Sequence, residues 1–124
     1  MEIVSFEISK KLKEKGFNAD CYGHYFNGEF YTDIPPKHYQ RDKYVSAPFI
    51  AQVLKWLREI KEIDVIPNRG HININREGNI TRYYKTYIYC HEHQYIEDND
   101  GDEYINFEQA ALAGIECVLN NNLI

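Results

Sequence analysis

"HININREGNITRYYKTYIYCHEHQYI", residues 71–96, decides the fold. On both sides of Arg76-Glu77-Gly78 the residues alternate with a period of two, the period of a strand whose successive side chains point to opposite faces. A three-residue loop with Gly78 in the left-handed region joins two such strands as a hairpin with a bulge. That register sets Ile74 opposite Ile80 and sorts the two faces. Ile72, Ile74, Ile80, Tyr84, Ile88 and Cys90 fall on one. Asn73, Asn75, Thr81, Tyr83, Lys85, Tyr87, Tyr89, His91, His93 and Tyr95 fall on the other. A slip of one residue would exchange the faces of one strand relative to its partner, so the register carries the assignment.

Working outward, Asp64–Pro67 reads as a short strand before this pair. A helix over 46–60 precedes it, capped by Ser46 with Pro48 in its first turn and an apolar stripe of Phe49/Ile50, Val53/Leu54, Leu57 and Ile60, with Trp56 at its edge. Residues 33–45, "DIPPKHYQRDKYV", read as a loop, because two prolines and mixed charge leave no core face. "CYGHYFNGEFYT", residues 21–32, is a hairpin around Asn27-Gly28, a pair that tolerates the positive φ of a type I′ turn. It pairs Phe26 with Glu29 and Tyr25 with Phe30. A first helix spans 3–15, with Val4, Ile8 and Leu12 on its apolar side and Gly16 as its stop. The last helix is 107–120, capped by Asn106, with Gln109 completing an amide form of the capping box. The fold class is therefore α+β: a single domain over 1–124, with about three helices packed on an antiparallel sheet built from hairpins.

Composition narrows the class. The chain has 124 residues, enough for one core, and no apolar run of membrane-spanning length. Its start, "MEIVSFEISKKLKEKG", has no basic segment ahead of an apolar one, so no secretory signal is read there. Cys21, Cys90 and Cys117 are odd in number and irregular in spacing, which favours reduced thiols and a cytoplasmic location. All 14 Lys and Arg lie at or before Lys85, whereas residues 86–124 carry eight acidic side chains and no basic one. Such a segment repels phosphates, so long nucleic acid is not an expected partner.

Three constellations could carry function. The first is the acidic stretch "DNDGDEYINFEQ", residues 98–109, which has the outline of a calcium loop: Asp98, Asp100 and Asp102 alternate, and Ile105 follows. Glu103 stands where that loop needs glycine, and Gln109 where it needs a bidentate glutamate. A neutral amide cannot supply that clamp. A turn leading to a capped helix accounts for the stretch, and Asp98, Asp100, Asp102 and Glu103 become an acidic contact surface for a protein partner. The second is His91, His93 and Glu97, which share strand parity and could hold a divalent metal as half of a hydrolase site. The spacing resembles the first metal motif of cupins, but no second motif is present. Exposed strand histidines without a metal are the plainer reading, and no cofactor is expected. The third is the tyrosine face, Tyr83, Tyr87, Tyr89 and Tyr95, flat apolar area with hydroxyls that suits a protein partner or a small planar ligand. It could equally be covered by helices. No glycine-rich phosphate loop and no nucleophile motif is present, so the chain leans away from catalysis.

"LKEKGF", the Tyr/Phe-rich hairpin, "SAPFIAQVLKWLREIKEIDV" and the closing "FEQAALAGIECVL" together make the chain resemble small uncharacterised proteins encoded by phages and integrated elements of gut-type bacteria. The resemblance covers most of the chain and rests on structural segments, so it carries over no catalytic residue. It implies a cytosolic accessory protein that counters a host defence by occupying a protein partner. A sponge for a nucleotide-like small molecule is the alternative binding role, and the metal-dependent hydrolase is the alternative outside binding.

Overall fold

The computed structural model describes residues 2–32, 44–90, 94–97 and 103–124, with the backbone alone at His71 and 94–97. Among them the fold is α+β: three helices and two antiparallel three-stranded sheets. The single expected sheet is thus two. The chain divides into two compact units, Met1–Val53 and Leu54–Ile124, and the division falls inside the second helix.

In the first unit, α1 (Phe6–Glu14) starts at Ser5, whose hydroxyl accepts from the Ile8 amide at 3.3 Å. The helix is shorter than expected at its N-terminus. Val4 is buried outside the helix, where its amide donates to the Pro48 carbonyl. Ile8 and Leu12 are buried one turn apart, as their spacing requires. Gly16, at φ 95°, ends the helix, and the Phe17 amide reaches back to the Leu12 carbonyl, a stop that only a left-handed residue permits. β1 (Gly23–Phe26) and β2 (Glu29–Tyr31) form the expected hairpin, with Asn27 and Gly28 at φ 54° and 81° and Phe26 opposite Glu29.

Tyr44 and Val45 are not loop, and Ser46 is not a helix cap. Both expectations are overturned by β3 (Tyr44–Ala47), which pairs antiparallel with β1, Ser46 opposite His24. β1 thereby gains a partner on its second edge, and Val45 and Ala47 are buried. α2 (Ile50–Ile60) starts after Phe49, which takes the cap position instead. Gln52, three residues on, accepts the Phe49 amide in its side-chain carbonyl at 3.0 Å, so half of a capping box replaces the serine. Ile50, Val53 and Leu57 are buried, but Ile60 is exposed. The chain turns at Glu62 (φ 58°), the Ile63 amide closes on the Leu57 carbonyl, and Ile63 takes the buried place expected for Ile60.

The second sheet has the order β4-β5-β6: β4 (Asp64–Ile74), β5 (Ile80–Cys90) and β6 (Gln94–Glu97). The expected short strand at 64–67 and the strand at 71–75 are one. Ile74 pairs with Ile80 as the loop geometry required, and Gly78 has φ 84°. The Asn75 side chain stitches the turn, accepting from the amides of Glu77 and Asn79. A bulge between Arg69 and Ile72 shifts parity, so Val65 and Pro67 below it and Ile72 and Ile74 above it all pair with even-numbered residues of β5. Without the bulge, one half of β4 would show its apolar residues to the wrong face. α3 (Phe107–Asn120) lies where expected, with the Asn106 side chain accepting from the Gln109 amide at 2.8 Å. It packs on β4 and β5. Gly114 makes the approach close: a Cβ there would stand 2.6 Å from Thr86 Cγ2 and overlap Val65. The buried Thr86 hydroxyl donates to the Ala110 carbonyl on the helix.

Candidate functional site

α3 covers the face of the second sheet that carries Val65, Thr86 and Ile88, all buried. Alternation therefore turns Tyr83, Lys85, Tyr87 and Tyr89 to the opposite face. The register adds residues from β4 beside them: Asp64 opposite Tyr89, Ile66 opposite Tyr87 and Asn68 opposite Lys85. Tyr89 is 38% exposed and Ile66 42% exposed, while Tyr83 and Tyr87 are half-buried. β6 extends the sheet, its backbone placing Tyr95 beside Tyr89 and Glu97 beside Tyr87. Tyr83, Tyr87, Tyr89 and the register position of Tyr95 are thus brought together on one surface. Ile66 was missed from the sequence because the bulge at 69–72, which sets its parity, has no signal of its own beyond Gly70. Arg58 Nε meets Asp64 Oδ1 at 3.2 Å near this edge, an exposed pair that adds little to stability.

The other expected constellations are only partly placed. His91, His93, Asp98, Asp100 and Asp102 lie outside the described residues, and Glu97 is described by its backbone alone. Among the described residues no cluster of metal-ligating side chains occurs. Glu103 is exposed, and its carboxylate lies against Gly70, where a Cβ would stand 3.0 Å from Oε2. Beyond it Tyr104 exchanges both backbone hydrogen bonds with Tyr84, at 2.7 and 2.8 Å. The chain on both sides of 98–102 therefore pairs with β5 in the same antiparallel sense.

A second aromatic surface lies in the first unit, in a hairpin that the sequence marked only as structure. His24, Phe26, Tyr31 and Tyr44 sit on one face of β1-β2-β3, and α1 lies against β3. Tyr44 stacks on Phe26 at 4.8 Å, and His24 lies 4.8 Å from Tyr44 and 6.2 Å from Tyr31. Tyr25 points the other way: its hydroxyl donates to the Val4 carbonyl at 2.7 Å and its ring meets Phe6 edge-on. The signal was the alternation of His24 and Phe26 together with the hairpin register that sets Tyr31 opposite His24, and the face was completed only when β3 brought Tyr44 beside Phe26.

The thiols do not favour catalysis. Burial is the largest influence raising Cys21 above the ordinary thiol range, and burial followed by the nearby Cys117 raises Cys90. Both are held as neutral thiols at neutral pH, the poor nucleophilic state. No described helix is long and apolar enough to cross a membrane. Compared with known protein families, curated proteins and solved structures, the chain matches none of them.

Proposed function

We propose that the chain is a non-enzymatic binding protein that acts by occupying a protein partner, with the tyrosine face of the second sheet as its contact surface. The observation that carries this reading is the two-sided sheet. α3 packs on one face at Val65, Thr86 and Ile88, and the other presents Tyr83, Tyr87 and Tyr89 around the exposed Ile66. Flat aromatic area with hydroxyls at its rim is the composition of interface centres, where a few buried aromatics supply most of the affinity. The resemblance to accessory proteins of phages and integrated elements favours a host defence protein as that partner. The acidic residues from Glu97 to Glu108 would set the rate and salt response of association with a basic partner rather than its strength.

The test is capture from bacterial lysate with wild type and with Y83A/Y87A/Y89A, each checked for folding by circular dichroism and read by mass spectrometry for proteins and small molecules. Loss of one protein with the triple variant supports the proposal. Loss of a small planar molecule instead would favour a ligand sponge on the same face. H24A/Y31A tests the first unit's aromatic face in parallel, and a partner lost only there would move the site. Stoichiometric zinc, manganese or iron in the purified protein would overturn the non-enzymatic reading in favour of a hydrolase at His91, His93 and Glu97.

A further inference from the structure

The face of β5 that α3 covers at Thr86 and Ile88 does not end there. It runs on past Tyr84 to Arg82 and Ile80, and across the register to Arg69, Ile72 and Ile74. Among the described residues no element covers this stretch: Ile72 is 54% exposed, Ile74 63% and Ile80 56%. The opposite face, which carries Asn73 and Thr81, is open as well, so every residue from Ile72 to Arg82 is exposed. The β4–β5 ribbon thus projects as an arm, from its base at Tyr84 to its tip at Gly78 roughly 20 Å away at the usual rise of a strand.

The arm is cationic. Arg69, Arg76 and Arg82 are exposed along it against the single acid Glu77, and none of the three makes an ion pair among the described residues. Its remaining polar side chains are neutral amides and a hydroxyl, Asn73 and Asn79 with Thr81, and its apolar ones are the three isoleucines. Residues 86–124, whose eight acidic side chains argue against long nucleic acid as a partner of the chain as a whole, contribute nothing to the arm. Glu103, from that segment, lies against Gly70 beside Lys85, on the face opposite to the isoleucines.

We infer that the arm binds double-stranded DNA, entering the major groove with its isoleucine face toward the bases. That groove is about 12 Å wide and admits a two-stranded ribbon. A partner that surrounds the ribbon suits one that is exposed on both faces. Arg69, Arg76 and Arg82 take phosphates on the groove walls, the amides and the Thr81 hydroxyl offer hydrogen bonds to backbone and base edges, and the isoleucines lie against thymine methyls. Charge complementarity favours this occupant over a neutral surface, and shape favours it over an anionic membrane. α3, about 10 Å thick, rises on the isoleucine face at the base of the arm and holds a flat lipid surface away from it, whereas a duplex curves away within the arm's length. The acidic remainder of the chain repels the duplex and keeps the affinity modest. This inference is independent of the tyrosine face.

The experiment is fluorescence anisotropy of a labelled DNA duplex of about 20 base pairs of mixed sequence, titrated with the full chain from about 50 to about 200 mM salt. Wild type is expected to bind at micromolar concentration at low salt, and its affinity to fall roughly fortyfold over that range, a slope of about −2.7 for three phosphate contacts. R76A/R82A is expected to weaken binding about tenfold or more at low salt and to bring the slope to about −0.9. I74S/I80S is expected to weaken it severalfold at unchanged slope, which separates groove contact from charge. Each variant is checked for folding by circular dichroism, and R82A alone, expected to remove about 0.9 from the slope, keeps the inference testable should a double variant fail to fold. An RNA duplex of the same sequence, whose major groove is too narrow for the ribbon, is expected to bind more weakly. No anisotropy change with wild type up to about 100 μM at the lowest salt overturns the inference. So do arginine variants that bind like wild type, or RNA bound as tightly as DNA. Retention of phosphatidylglycerol vesicles without any binding of the duplex would overturn it in favour of a lipid surface.

Discussion

The β4–β5 ribbon is one pair of strands with two fates. At its base Val65, Thr86 and Ile88 are buried; along its arm Ile72, Ile74 and Ile80, on the same continuous face, are exposed. Residue type does not separate them, since isoleucine occurs in both. The difference is α3. Where the helix reaches the sheet, Gly114 lets it approach to van der Waals contact with Val65 and Thr86 and seals that stretch. Where the helix does not reach, the same pattern of alternation stays open to another molecule. Apolar periodicity thus states which side of a strand can be buried, and only the covering element states how much of it is.

The largest effect that would break this comparison is cavity formation. Ile88→Ala is expected to cost about 2–5 kcal/mol in urea denaturation, the range for a fully buried aliphatic side chain. Ile80→Ala should stay within about 0.5 kcal/mol. Equal losses would mean that the arm is as covered as the base. Next in size is Gly114→Ala, expected to destabilise by about 1–3 kcal/mol through overpacking against Val65 and Thr86. If thermal denaturation showed it neutral, α3 would sit farther from the sheet than described. Asn106→Ala removes the cap at the start of α3 and should cost about 1 kcal/mol, read from the denaturation midpoint at unchanged slope. The expectation from the sequence that 98–109 is a turn leading to a capped helix implies that millimolar calcium should move the melting temperature little, whereas a bound site well above its dissociation constant would raise it by several degrees. Smallest is the hydroxyl pair. Thr86→Val loses the bond to the Ala110 carbonyl at a cost of about 1 kcal/mol or less, since the added methyl offsets part of it, and Thr81→Val on the exposed arm should be neutral.

Much of the local structure was legible because it depends on neighbours in the chain. Asn27-Gly28 and Gly78 require positive φ, so both hairpins and both registers followed from them. Asn106 marked the start of the last helix because its side chain can accept from the Gln109 amide three residues on. The failures are non-local. Ser46 has the residue type of a cap, but it became strand because the free edge of β1 gained more from pairing with Tyr44–Ala47 than the helix lost, Gln52 being able to hold its first turn. Ile60 fits the helical stripe, yet Ile63 fills the buried place because Glu62 turns the chain. At the candidate site, Tyr83, Tyr87 and Tyr89 were readable as one face from alternation alone. Ile66 and the aromatic face around Tyr44 were not, because a bulge and a strand from beyond residues 33–43 bring them there.

By itself, then, the sequence determined the α+β class, the turns, the stop of α1 at Gly16, the start of α3 at Asn106, and which strand residues share a face, all set by backbone sterics and hydrogen bonds within a few residues. Tertiary structure alone decided that there are two sheets, that β4 is continuous through a bulge, and that α3 stops short of the arm. Those outcomes depend on which edges pair and how closely two elements can approach, energies carried by residues far apart in the chain, to which no local pattern has access.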